Sequence, residues 1–171
     1  MYELKPLSPE SIPEALQKAE RYRLLNDPAE AESICRDILA VDHDNREATT
    51  SLILSLTDQF GAHLNDTFQQ ACDLAAQLDD EYGRAYYSGL ICERRAKQHL
   101  ERGGPGSGYV AYDWYHKALE HYARAQELRP EGNDSSILRW NAVVRTLRRR
   151  PDVVPEPHDE VHHLLDVAPP A

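Results

Sequence analysis

An all-α fold of stacked antiparallel helix pairs is predicted by three features of the chain. Cap-like tetrapeptides stand before runs with apolar residues spaced i, i+3, i+4. A helix-pair pattern recurs 37 residues on, and once more after a longer insertion. No stretch alternates apolar and polar residues long enough to make a convincing strand.

The elements follow in order. Ser11-Ile-Pro-Glu14 reads as a capping box with proline in the first turn, where a missing N–H costs little, and opens a helix over 12–25. Asp27-Pro-Ala-Glu30 repeats the design and opens 28–41. Asp44-Asn-Arg-Glu47 and Asp66-Thr-Phe-Gln69 do so without proline and open helices over 45–60 and 66–79. A fifth helix is expected over 83–101. The sixth, 109–128, contains YHKALEHYARAQELRP, whose Ala118, Tyr122, Ala125 and Leu128 share one stripe and whose Pro130 stops the run. The seventh, 134–149, ends in RTLRRR, where positive charge offsets the helix dipole without any need for nucleic acid.

A chain of 171 residues suits one compact domain or a short repeat array. It can bury roughly 70% of its unfolded surface, so no metal or disulfide staple is needed. Hydrophobic residues at 41% and charged residues at 28% fit a globular class. A net charge of −10 argues against a general nucleic-acid binder, which needs a basic face. Three cysteines, Cys35, Cys72 and Cys92, with no charged-then-apolar leader, point to reduced thiols and a cytoplasmic setting. The longest apolar run, SLILSL, is too short and too often broken by serine for a membrane span.

The recurrence fixes the organisation. Ala118, Tyr122, Ala125 and Pro130 match Ala31, Cys35, Ile38 and His43 in spacing, and match Phe68, Cys72, Ala75 and Asp80. The stretch LAVDHDNREA (39–48) aligns with AQLDDEYGRA (76–85), pairing Ala48 with Ala85. A period near 34 residues, with a small residue, then an aromatic, then a proline turn, resembles the tetratricopeptide repeat (TPR). AYYSGLI (85–91) resembles the start of such a repeat's first helix, and in the first repeat Ala15, Ala19 and Tyr22 take the large, small and aromatic sites. Gly89 and Leu90 reverse the usual leucine–glycine order. The resemblance implies a right-handed α-solenoid. It divides the chain into a lead-in (1–11), repeats at about 12–45, 46–82 and 83–132, a cap helix (133–150) and a Pro-rich tail (151–171). Each pair is too apolar to stand alone, and stacking buries a continuous seam.

The resemblance also implies function. The concave face of such a stack is a groove for a peptide or helix of another protein. By the repeat register its lining is expected to include Leu16, Glu20 and Arg23 from the first helix, with Thr50 and Leu54 from the third. Tyr87, Ile91, Arg94 and Arg95 are expected from the fifth, with Asn141 and Arg145 from the cap. Three arginines on one wall suit an acidic segment, through charge-assisted hydrogen bonds. The plainer reading leaves them solvated or paired with nearby acids. Some TPR proteins clamp a partner's terminal carboxylate with lysine and asparagine, but Leu16 and Glu20 stand at the corresponding places here. That activity is not expected.

Other features weigh less. ERGGPGSGYVAYDWY (101–115) joins the third pair by a glycine-rich tip and crowds Tyr109, Tyr112, Trp114 and Tyr115 together, either as packing between over-long helices or as a self-association surface. The glycines follow a helix and no Gly-Lys-Ser/Thr comes after them, so a phosphate loop is not indicated. In the tail, His158 and His162 come near the zinc-protease H-E-x-x-H spacing, but Asp159 and Glu160 put the acid out of place. Val161, Leu164 and Leu165 make a short amphipathic docking segment instead. The expectation is therefore a non-enzymatic, cofactor-free adaptor, scaffold or assembly factor, binding a peptide or helix and neither nucleic acid nor membrane. The alternatives are a homodimer through the aromatic hairpin or tail, and a metal-binding protein through the tail histidines.

Overall fold

The computed structural model describes residues 2–157, and within them the side chains of all but 62–65. Seven α-helices run in order: α1 (Ile12–Leu24), α2 (Pro28–Val41), α3 (Arg46–Asp58), α4 (Phe60–Ala76), α5 (Glu81–Arg102), α6 (Ser107–Leu128) and α7 (Ser135–Arg149), with one 3₁₀ turn at Pro9–Ser11 before them. The described residues contain no strand. No helix among them is long and apolar enough to cross a membrane. Each helix packs on the next, and the odd-numbered helices also meet in sequence, α1 on α3, α3 on α5 and α5 on α7.

Local chemistry sets most boundaries. Asp27 accepts a hydrogen bond from the Glu30 N–H at 3.5 Å and starts α2 as the sequence predicts. The α1–α2 turn needs a left-handed residue, and Asn26 supplies it at φ 61°. At α3 the cap is Asn45, one residue later than predicted, accepting from the Ala48 N–H at 2.9 Å. Ser11 precedes α1 but makes no cap bond; its hydroxyl donates back to the Ser8 carbonyl at 2.7 Å. A cap not anticipated is Asp80, which accepts from the Gly83 N–H at 2.6 Å and also holds the Arg46 guanidinium of α3. At the long hairpin, Gly103, Gly104 and Gly106 all take positive φ, and α6 begins at Ser107.

The predicted loop before Asp66 does not exist. Only Gln59 separates α3 from α4, and Asp66 lies inside α4. Phe60 explains the change: it is 2% exposed in the core, so burying it draws two further turns into helix. Gln59 secures the joint by donating to the Ser55 carbonyl at 3.2 Å and to Glu32 at 2.6 Å.

The apolar core runs along the stack in neighbouring clusters. Ala19, Ala31, Cys35, Ile53, Leu56 and Ala75 join four helices. Tyr115, Tyr122, Ala96 and Val143 form a second cluster across α5, α6 and α7. In the first helices the 37-residue offset reproduces burial, with Ala48, Leu52 and Ile53 matching Ala85, Gly89 and Leu90. In α4 the register differs: Ala71 and Ala75 are fully buried, while Phe68 and Cys72 are half-buried. Phe68 turns outward to Trp114, ring centroids 5.5 Å apart and edge-on. Gly89 also has its reason, because a Cβ there would lie 2.7 Å from the Tyr122 ring.

Polar links join helices about one unit apart in sequence. Arg36 reaches Gln70 at 2.6 Å, Arg46 reaches Asp80, and Asp58 receives both Arg23 and Arg94. After α7 the chain turns at Pro151–Asp152, and Val153 enters the core at 3% exposure. Gly108 makes room, since a Cβ there would meet the Asp152 carbonyl oxygen at 2.2 Å. The start of the tail therefore packs on its own chain. His158, His162, Leu164 and Leu165 lie outside the described residues.

Candidate functional site

The odd-numbered helices, with the first residues of α2 and α4, line a cleft of about 450 Å³. α1 contributes Arg23, α3 contributes Asp58, α5 contributes Arg94, Lys97 and Gln98, and α7 contributes Arg139. On α5 these residues follow the i, i+3, i+4 spacing that puts side chains on one helix face.

Two carboxylates organise four cations. The Nε and one terminal nitrogen of Arg23 both donate to Asp58, at 2.9 and 2.8 Å. Arg94 takes the other oxygen of the same carboxylate. The second carboxylate is Glu93, which is 1% exposed beneath the cleft. It accepts from Arg139 Nε at 2.9 Å, from Tyr122 Oη at 2.8 Å and from Lys97 at 2.7 Å. Burial alone would raise the Glu93 carboxyl, but the hydrogen bonds from Arg139 and Lys97 outweigh it and hold the group below the usual carboxylate range. Burial works against the Arg139 charge too, yet its bonds to Glu93 keep it more firmly protonated than an ordinary arginine.

Glu93 stands 37 residues after Leu56, at a position where the preceding unit buries an apolar side chain. The substitution of a carboxylate into the seam carries Arg139 and Lys97 to the cleft wall. Counting Glu101 on the rim, the cleft carries four cations against three acids, a local excess of positive charge in a chain of net charge −10.

Among the described residues, Arg95, Gln98, His99 and Ser136 carry buried polar atoms without a hydrogen-bond partner, and of these Gln98 lines the cleft. It is 3% exposed, and neither its carboxamide oxygen nor its nitrogen has a hydrogen-bond partner. A buried amide left unmet costs about 1–3 kcal/mol, so such groups call for a reason.

The residues predicted for the groove divide. Arg23 and Arg94 meet at Asp58 on the cleft wall. Ile91 is instead a core residue, 1% exposed within the seam, because its face of α5 turns toward α3 and α4. Arg95 points away from Arg94, as the 100° step between neighbours on a helix requires. Its guanidinium lies 4.7 Å from the Phe68 ring centroid and 5.5 Å from that of Trp114. Tyr87 is half-buried against the seam, and Leu16 packs against Ala15, Ile38 and Ala48. Thr50 bonds to the Glu47 carbonyl of its own helix, and Leu54 and Asn141 are half-buried. Arg145 is exposed. Asp58, Lys97, Gln98 and Arg139 are not legible in the sequence; the polar Glu93 at a seam position is the one signal that leads to two of them, Lys97 and Arg139.

The hairpin aromatics also have places. Trp114 packs on Phe68 and takes Lys117 over its ring at 4.5 Å. Tyr112 stacks on His116 with centroids 6.2 Å apart. Tyr109 is half-buried beside the returning Asp152 and Val154. Burial pushes all three thiols up, Cys92 to about 11. No protein-family model, no curated protein and no solved structure matches the chain.

Proposed function

We propose that the chain is a non-enzymatic partner-binding module of the helical-repeat type that the TPR resemblance implies, a right-handed solenoid whose odd-numbered helices hold a segment of another protein. It would serve as an adaptor or assembly factor. The observation that carries this reading is the cleft itself. Three of the seven helices bring Arg23, Arg94, Lys97 and Arg139 to one hollow, against the charge of the whole chain. Clustered charge of this kind steers and selects a complementary partner.

The test places a photo-crosslinking residue at Glu101, exposed on the cleft rim, or at Gln126, exposed on α6. Full-length protein is irradiated in an extract of its own cells. The reading predicts adducts from position 101, lost when Arg94 and Lys97 are both changed to glutamate, and none from position 126. Adducts from 126 alone, equal adducts from both, or adducts indifferent to the charge reversal would contradict it.

A further inference from the structure

We propose that the cleft reads an extended acidic peptide in two ways at once: Gln98 pairs with the main-chain N–H and C=O of one residue, while Arg94 and Lys97 hold a neighbouring carboxylate side chain. The inference rests on the partner-binding reading above and names the chemistry of the bound segment.

The argument begins with the buried carboxamide. Both the donor and the acceptor of Gln98 are empty, although the side chain is 3% exposed and lines the cleft. An ionised phosphate or carboxylate offers acceptors only, and leaves the Gln98 oxygen unmet. An extended peptide presents the N–H and C=O of one residue on the same side, and that pair satisfies both atoms together. Phosphodiester backbones offer acceptors only and fail the same requirement.

The charge then selects the side chain. Asp58 serves two arginines and Glu93 serves Arg139 and Lys97, so each carboxylate is shared between two cations. Arginine and lysine keep donors to spare after such sharing. Lys97 and Gln98 lie three and four residues after Arg94 on one face of α5, about 4.5 and 6 Å further along the helix axis. An extended peptide advances about 3.3 Å per residue, so one acidic residue and the residue beside it span that range. The partly buried setting strengthens the charged bonds compared with open solvent.

Calorimetric titration of the full chain tests the proposal. The probes are a capped (Glu-Ala)4 peptide, the matching (Gln-Ala)4 peptide, the glutamate peptide N-methylated at its main-chain amides, inorganic phosphate, and a single-stranded RNA octamer. The glutamate peptide should bind about tenfold or more tightly than the glutamine peptide, phosphate or RNA, with affinity falling as salt is raised. Changing Arg94 and Lys97 together to glutamine should remove that preference. Gln98→Leu should weaken the glutamate peptide about tenfold, the loss expected when one well-made buried amide contact goes. N-methylation should weaken binding to the native chain by a similar factor and add nothing further in Gln98→Leu. Should Gln98→Leu fail to fold, the methylated peptide on the native chain still decides the main-chain contact. Equal binding of the glutamine peptide, tighter binding of phosphate or RNA, or indifference to N-methylation would each overturn the proposal. If crosslinking from position 101 persists while the glutamate peptide shows no preference, this inference fails and the partner-binding reading stands. Loss of both removes both.

Discussion

Glu93→Gln is the perturbation the structure speaks to most directly. The carboxylate is 1% exposed and receives Arg139, Lys97 and Tyr122. Glutamine keeps the shape and can still accept from Tyr122, but it leaves a guanidinium and an ammonium without their counter-charge. Breaking a buried ion pair from one side costs about 3–5 kcal/mol. Here the cationic side chains are 30% and 42% exposed, so solvent screens part of the loss. A destabilisation of about 2–3 kcal/mol at pH 7 follows, which for a chain of this length lowers Tm by about 5–10 °C. Urea unfolding followed by circular dichroism measures it. The pH dependence supplies the sign check. The Glu93 carboxyl sits below its unfolded value, so its contribution is full above about pH 4.3 and is lost as pH falls through the folded value. The gap between native and variant should therefore be constant near neutrality and narrow in acid. A gap under about 0.5 kcal/mol at pH 7, within the range of ordinary surface changes, or one that stays constant into acid, would refute the reasoning.

Other outcomes follow from the packing. Gly89→Ala forces a methyl against the Tyr122 ring, and urea unfolding should register a loss of about 1–3 kcal/mol. Gly108→Ala meets a backbone carbonyl that cannot swing aside, so hydrogen exchange at Val153 should speed up while the α1–α4 amides are unaffected. Native protein treated with iodoacetamide at pH 8 should leave Cys35 and Cys92 unmodified, and both should react in urea, because burial raises their pKa and blocks access.

The helices were legible because their signals are local. Asp27, the i, i+3, i+4 apolar spacing and the glycine-rich tip each act within a few residues, and α2 and α7 lie close to where the periodicity puts them. The misread joint at Gln59 has the opposite cause: the burial of Phe60, a contact with distant helices, overrode the cap chemistry of Asp66. The same limit governs the cleft. Arg23 and Arg94 follow from repeat register, but their meeting depends on Asp58, which lies 35 and 36 residues away. Ile91 and Arg95 were misplaced because adjacent residues on α5 differ by 100° in direction, and a register error of one residue exchanges groove for core. Glu93 is not legible in the sequence as a buried residue because a charged residue on a helix usually marks the solvent face. Only the arrival of Arg139 from α7 gives it a reason to be inside.

The proposed binding face is the cleft walled by Arg23, Arg94, Gln98 and Arg139. Nuclear magnetic resonance on the ¹⁵N-labelled full chain, titrated with the (Glu-Ala)4 peptide, reads it residue by residue. The account predicts that the Gln98 side-chain amide and the Arg23, Arg94 and Arg139 Nε–H signals shift together and saturate with one affinity, while α2 and α6 stay still. Shifts confined to α2, α4 or α6, or a Gln98 amide unmoved at saturation, would contradict it.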